Sequence, residues 1–147
     1  MLALYGVAAF ALICDQLSKW GATHFLRIGE SMPVLAGVFH LSLVQNTGIA
    51  FGLFQEHPDF WIVIITASLL CLVWGARLVS NRSCSCRWAY GLILGGAAGN
   101  WIDRIRVQHV IDFLDFRIWP VFNLADASIT LGVFSLIWLS VTPRRRP

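Results

Sequence analysis

Four apolar segments of membrane-spanning length dominate this chain of 147 residues. A helix needs about 20 predominantly apolar residues to cross the hydrocarbon core of a bilayer. Only 13% of the residues are charged and 57% are hydrophobic, whereas a water-soluble domain carries about 25% charged residues. The sequence therefore predicts a mainly α-helical, integral membrane protein with one domain over residues 1–147. Its four transmembrane helices are expected at roughly 2–20, 60–79, 88–105 and 121–141.

The distribution of charge predicts how these helices cross the membrane, because loop lysines and arginines favour the cytoplasmic side. Six arginines flank the second connection or lie near the C-terminus, and all eight acidic residues fall on the opposite side. The arginines are Arg77, Arg82, Arg87, Arg144, Arg145 and Arg146. We expect both termini and the 80–87 loop to be cytoplasmic, and the 28–58 and 107–120 segments to face outward.

The long outer segment 28–58 differs from the helices around it. Alternating residues at 38–44 are typical of a β-strand, so we expect a small extracytoplasmic sheet between the first and second helices. The following stretch contains Asn46 and Gly48, which favour a tight turn. Backbone groups in such a turn could hold a peptide.

Polar residues enter three of the four spans, always near the predicted outer end. They are Asp15 and Lys19 in the first span, Asn100, Asp103 and Arg104 in the third, and Asn123 and Asp126 in the fourth. Residues 60–76 carry no charge, so the second helix is predicted to face lipid or to be purely structural. Carboxylates at the edge of a bilayer are costly and mark functional sites. Asp112 lies in the third connection and Asp126 near the start of the fourth span, and two carboxylates that meet can share a proton and activate water.

The spacing of these residues indicates which side chains share a helix face. Asp15 precedes Lys19 by four residues, the favourable order for a helical ion pair. Asn100 and Arg104 are also four residues apart. We expect both pairs to face the interior of the helix bundle.

Two further patterns have structural interpretations. Asn123 lies three residues before Asp126, so it is a candidate N-cap of the fourth helix. Gly91, Gly95 and Gly99 repeat every four residues, a pattern that lets two membrane helices approach closely. We expect this stripe to be a packing surface.

The cysteines and histidines do not predict a metal site. Cys14 and Cys71 lie in apolar spans, where we expect them to pack. Cys84 and Cys86 are separated by one residue, which matches no usual zinc pattern, so reduced thiols are expected. The four histidines show no paired ligand spacing either. No metal and no cofactor is expected.

Five motifs, in order along the chain, resemble those of the lipoprotein signal peptidases (signal peptidase II), a family of bacterial intramembrane aspartyl proteases. They are DQLSK at 15–19, NTGIAF at 46–51, GGAAGNWIDR at 95–104, VIDF at 110–113 and WPVFNLAD at 119–126. Ile49 stands where the family pattern has alanine. The match runs from residue 15 to about residue 131.

The resemblance implies a catalytic pair, Asp112 and Asp126. Asp115 is a rival to Asp112, which we prefer because it occupies the family's Val-x-Asp-Phe position. Supporting or substrate-binding roles are implied for Asn46, Gly48, Asn100, Arg104, Asn123, Asp15 and Lys19, with Asp15 and Lys19 as a structural pair.

The resemblance also implies the substrate and the location. The expected substrates are prolipoproteins, cut just before a cysteine that carries a diacylglyceryl group. The expected location is the bacterial cytoplasmic (inner) membrane, with the active site near the outer leaflet interface. Membrane lipids are the expected surroundings, and no nucleic-acid partner is expected.

Two other classes of protein also carry ionisable residues inside a membrane. A small transporter or proton channel uses intramembrane Asp, Arg and Asn, but more often places them near the midplane between inverted repeats. An assembly or scaffold protein would use the charged pairs for structure, so that replacing either aspartate would lower stability and not activity.

Overall fold

The computed structural model describes residues 1–47 and 58–142. The helices are α1 (Leu2–Phe25), α2 (Pro58–Val79), α3 (Cys84–Val107) and α4 (Leu124–Val141), and the strands are β1 (Ser31–Leu35), β2 (Phe39–Asn46) and β3 (Val110–Asp115). The fold is mainly helical, as predicted. Three boundaries differ from the prediction by three or more residues, because α1 continues to Phe25, α3 begins at Cys84 and α4 begins only at Leu124.

Within the described residues, three helical segments are long and apolar enough to cross a membrane. They are Leu2–Phe25, Ile62–Val79 and Leu124–Val141. The predicted third span corresponds to α3, which is 24 residues long but carries Arg87, Asp103, Arg104 and Arg106. Length alone therefore allows α3 to cross, but its composition does not identify it as a span.

Helix α3 packs against all three other helices, and its glycines permit the close approach. A Cβ atom on Gly91 would lie 2.5 Å from the carbonyl oxygen of Leu4 in α1, and one on Gly95 would collide with the carbonyl of Ala8. On another face, a Cβ on Gly96 would lie 2.5 Å from the carbonyl oxygen of Ala125 in α4. The predicted packing role of the glycine stripe is confirmed.

A three-stranded antiparallel sheet lies at one end of the helices, in the order β1-β2-β3. The turn between β1 and β2 contains Gly37 at φ 74°, a backbone conformation that side chains rarely adopt. The predicted sheet lay wholly between the first two helices. That prediction was incomplete, because β3 comes from the connection between α3 and α4.

Candidate active site

Asp112 lies in the middle of β3, opposite Val44 of the central strand. Its side chain is only 2% exposed. One carboxylate oxygen accepts a hydrogen bond from Asn46 Nδ2 at 2.9 Å, and the other accepts one from Asn123 Nδ2 at 2.6 Å. Both oxygens therefore face amide donors, which orient the carboxylate and compensate part of the cost of burying it.

Asn123 reaches Asp112 because the chain folds back along β3. The backbone N–H of Phe122 donates a hydrogen bond to the Leu114 carbonyl at 3.0 Å, and the Leu114 N–H donates one to the Phe122 carbonyl at 2.8 Å. The next residue, Asn123, is fully buried. A pairing that no sequence pattern predicts thus brings the start of α4 beside the middle of β3.

Asp126 lies in the first turn of α4 and takes part in the cap of that helix. Asn123 Oδ1 accepts a hydrogen bond from the Asp126 backbone N–H at 3.0 Å, and Asp126 Oδ2 accepts one from the Asn123 backbone N–H at 3.4 Å. This reciprocal arrangement is a capping box, and it confirms the predicted N-cap. Asp126 Oδ1 also accepts a hydrogen bond from Asn100 Nδ2 of α3 at 2.8 Å.

Asp112 and Asp126 both line one cavity of about 480 Å³. Asn46, Asn100 and Arg104 also line it, which agrees with the prediction that Asn100 and Arg104 share a face. A cavity of this size can hold a short stretch of peptide. The remaining lining residues are mainly apolar and include Ile65, Leu69, Ala97, Val121 and Ile129.

Helix α2 has a role that the sequence did not predict. It packs on α3, where Trp101 Nε1 donates a hydrogen bond to Thr66 Oγ1 at 2.8 Å. Its residues Ile65, Ser68 and Leu69 then form one wall of the cavity. Most of this helix is exposed, which agrees with the prediction that it faces lipid, but the prediction was incomplete because three of its residues also line the cavity.

Burial changes the acidity of Asp112. Desolvation is the largest effect and raises its pKa to about 6, with the negative charge of Asp126 acting in the same direction. The hydrogen bonds from Asn46 and Asn123 oppose this shift without cancelling it. A carboxyl group with a raised pKa beside a second carboxylate is suited to proton transfer near neutral pH.

Asp115 has a different environment. Asp112 lines the cavity, whereas Asp115 is not among the cavity-lining residues in the described part of the chain. Asp115 accepts hydrogen bonds from Ser42 Oγ at 2.7 Å and from the Arg117 backbone N–H at 2.8 Å. Arg117 Nη1 also lies 3.2 Å from its carboxylate. These contacts tie Asp115 to the sheet.

Asp15 and Lys19 form a buried ion pair with an N–O distance of 2.8 Å, as their spacing predicts. Two partners were missed, although Asp103 was recognised as a polar residue of its span. Lys19 Nζ lies 2.6 Å from Asp103 Oδ2, and Gln16 Nε2 donates to Asp103 Oδ1 at 3.0 Å and to Asp15 Oδ2 at 3.2 Å. The sequence feature that comes nearest to predicting these contacts is Gly99, one helical turn before Asp103. Its lack of a side chain leaves room for Asp15 of α1.

The remaining oxygen of Asp15 joins this network to α4. Asp15 Oδ1 accepts a hydrogen bond from the Ala125 backbone N–H at 2.9 Å. The first N–H groups of a helix have no partner within the helix, so a carboxylate there is favourable. Of the other predicted site residues, Asn46 contacts Asp112, whereas Gly48 lies outside the described residues.

Comparison with known proteins identifies the family. Residues 7–142 match the family model described as Signal peptidase (SPase) II. The chain is 42% identical to the lipoprotein signal peptidase of Halothermothrix orenii over 140 residues, covering 91% of this chain and 92% of the relative. It is 40% identical to the lipoprotein signal peptidase of Moorella thermoacetica over 137 residues, covering 93% and 91%.

A solved structure supports the same assignment. A bacterial membrane enzyme determined by the in meso method at 2.3 Å resolution superposes with a TM-score of 0.81 at 30% identity. The superposition covers 95% of this chain and 89% of that one. The fold, the five motifs and the sequence relatives agree, and the chain belongs to the signal peptidase II family.

Proposed function

We propose that this chain is an aspartyl endopeptidase that removes signal peptides from prolipoproteins by cutting before the diacylglyceryl-modified cysteine. Family membership and relatives named lipoprotein signal peptidase support the reaction and the substrate class. The alternative, a small transporter or proton-conducting protein, is not favoured by this membership. The observation that carries the aspartyl mechanism is the common cavity lined by Asp112 and Asp126.

The proposed mechanism uses one ionised and one protonated carboxyl group, because two neighbouring carboxylates resist full ionisation. The ionised group takes a proton from a water molecule, whose oxygen attacks the scissile carbonyl carbon. The protonated group donates a hydrogen bond to the developing oxyanion. When the C–N bond breaks, a proton passes to the leaving amine. The roles of base and hydrogen-bond donor are assigned to the pair and not to either aspartate, because two coupled carboxyl groups titrate as a unit.

The side chains around the pair have proposed supporting roles. Asn100 and Asn123 hold the two carboxylates in a fixed orientation through the hydrogen bonds described above. Arg104 contacts the lipid or a carboxylate from the cavity wall, and Asn46 and Gly48 guide the peptide backbone. No metal or cofactor takes part in this proposal.

The proposed arrangement in the membrane has four spans, with α3 crossing together with the three more apolar helices. Both termini are then in the cytoplasm of a bacterial cell, and the sheet lies on the outer surface of the inner membrane. Asp126 lies two residues into α4, about 3 Å along the helix axis. A lipid-bearing cysteine could thus keep its acyl chains in the outer leaflet while its backbone reaches the aspartates.

The first test is a gel-shift cleavage assay with the purified protein in detergent. One precursor carries diacylglyceryl-cysteine, and a matched precursor lacks the lipid. We expect cleavage of the lipidated precursor alone, and loss of that cleavage in Asp112→Asn and in Asp126→Asn. Failure of the folded wild-type protein to cut either precursor would refute the peptidase proposal.

A further inference from the structure

The ammonium group of Lys19 is buried among three oxygen acceptors. It lies 2.8 Å from Asp15 Oδ2, 2.6 Å from Asp103 Oδ2 and 3.0 Å from Asn100 Oδ1, and the side chain is 2% exposed. An ammonium group has three N–H donors and no acceptor, so these three contacts use all of its hydrogen bonds. The two carboxylates already exceed its positive charge. The contact with the neutral amide of Asn100 is therefore not needed for charge compensation.

This contact determines the orientation of the Asn100 amide. Because lysine only donates, the atom of Asn100 that faces Lys19 must be the amide oxygen. Asn123 Nδ2 donates to the same oxygen at 3.1 Å. The amide nitrogen of Asn100 then points the other way and donates to Asp126 Oδ1 at 2.8 Å. The inverted amide would place N–H groups against the ammonium and an oxygen against the Asp126 carboxylate.

We propose that Lys19 is a positioning residue for Asp126 and acts through the amide of Asn100, an inference that rests on the proposed role of Asp126 in the catalytic pair. Asn100 and Asp126 line the cavity. Lys19 lies behind Asn100 and is not among the described residues that line the cavity. Lys19 therefore acts without touching the substrate. Its effect is expected in kcat, because the orientation of a reacting carboxylate matters most in the transition state.

The same network has other branches that support the backbone. Asp103 Oδ2 also accepts a hydrogen bond from the Ile111 backbone N–H at 3.3 Å, next to Asp112. Asp15 holds the Ala125 N–H at the start of α4. If the loss of Lys19 lowered activity only by destabilising the fold, the effect would come from the loss of these backbone contacts and would not depend on Asn100. A positioning role would require Asn100, and this difference makes the two explanations separable.

A double-mutant cycle tests the route. Lys19→Met, Asn100→Ala and the double variant are compared with the wild type, with kcat and KM measured on the lipidated precursor in detergent. In the wild-type background we expect Lys19→Met to lower kcat about 10- to 100-fold, with KM changed less than about twofold. In the Asn100→Ala background we expect a much smaller further decrease in kcat, because the amide through which Lys19 acts is absent and only the weaker effect of its charge on Asp112 is left.

Gln16→Leu is the matched control. Gln16 contacts Asp15 and Asp103, as Lys19 does, and has no hydrogen bond to Asn100 among the contacts of the described residues. We expect Gln16→Leu to lower Tm while kcat stays within about threefold of the wild type. Unchanged kcat in Lys19→Met, or an equal decrease in both backgrounds, would overturn the proposal.

Loss of Lys19 leaves two buried carboxylates unpaired, which is strongly destabilising. If Lys19→Met does not yield folded protein, the whole cycle is run in an Asp103→Asn background, where one of these charges is absent. Asp126→Asn is measured in parallel. Activity in Asp126→Asn would refute the catalytic pair itself, whereas an inactive Asp126→Asn with an additive cycle would refute only the positioning role.

Discussion

Asp112 and Asp115 lie three residues apart on β3, and the fold shifts their acidities in opposite directions. Desolvation raises the pKa of Asp112 from 3.8 to about 6. Burial also acts to raise the pKa of Asp115, but hydrogen bonds from Ser42 and Arg117 and the charge of Arg117 outweigh it and hold this pKa below its ordinary value. Two aspartates that look equivalent in the sequence therefore affect stability differently.

The Asp112→Asn variant should be inactive but more stable than the wild type near neutral pH. A carboxyl group whose pKa is raised by folding stabilises the protein below the unfolded pKa of about 4, and this contribution is lost as the pH rises through about 6. Removing the charge should therefore raise the free energy of unfolding by about 1–3 kcal/mol at pH 8, and by much less at pH 4.5. Thermal unfolding in detergent at both pH values measures this difference. A lower Tm at pH 8 would contradict it.

The Asp115→Asn variant should show the reverse behaviour. Its lowered pKa means that the ionised carboxylate stabilises the fold above about pH 4, and that this contribution is lost as the pH falls through the lowered pKa. We expect Asp115→Asn to lower Tm at neutral pH while keeping clear cleavage activity. An inactive, folded Asp115→Asn beside an active Asp112→Asn would reverse the assignment of the catalytic pair.

Individual contacts of the site were predictable only where they are local. The Asp15–Lys19 pair and the Asn123 cap follow from spacings of three and four residues. Gln16 and the contacts of Asp103 were not found, because they join α1 to α3 over 87 residues of sequence. Such long-range contacts depend on how the helices pack, and periodicity within one helix contains no information on that.

The elements were predicted where one hydrophobic pattern decides them. Four apolar segments became four helices, and the alternation at 38–44 lies within β2 except for its first residue. Strand β3 was missed because it is short, carries Asp112 and Asp115, and is buried on both faces in part, so that its residues do not alternate. The cavity wall on α2 was missed because apolar residues look alike in a sequence whether they face lipid or a cavity.

The contact between α1 and α3 gives a prediction at the scale of elements. A Cβ atom at Gly95 would collide with the carbonyl of Ala8, whereas nothing lies within 4 Å of one at Gly21. We expect Gly95→Ala to push α1 from α3, lower Tm and reduce cleavage. Gly21→Ala is the matched control and should be neutral or stabilising, since alanine favours a helix by about 1 kcal/mol over glycine. Equal Tm values for the two variants would contradict the packing role.

The arrangement of the whole molecule depends on whether α3 crosses the membrane. Cys84 is the first residue of α3, and Ile118 lies between the end of α3 and the start of α4 and is 93% exposed. In the described structure, α3 is the only helix between these two residues. Three of its four charged residues, Asp103, Arg104 and Arg106, lie near its C-terminal end, and the fourth, Arg87, lies near its N-terminal end. Asp103 is paired with Lys19 inside the bundle, which reduces the cost of placing that end at the membrane edge.

Labelling with a membrane-impermeant maleimide tests this crossing. One variant keeps only Cys84, which is exposed, and carries Cys14→Ala, Cys71→Ala and Cys86→Ser. The other lacks all native cysteines and carries Ile118→Cys. In right-side-out vesicles we expect the Ile118→Cys variant to react at once and Cys84 only after permeabilisation, with both proteins still cleaving the lipidated precursor. Reaction of both thiols from the same side would mean that α3 does not cross, since only α3 separates them. A cytoplasmic thiol in the Ile118→Cys variant would place the cavity on the wrong side of the membrane for exported prolipoproteins.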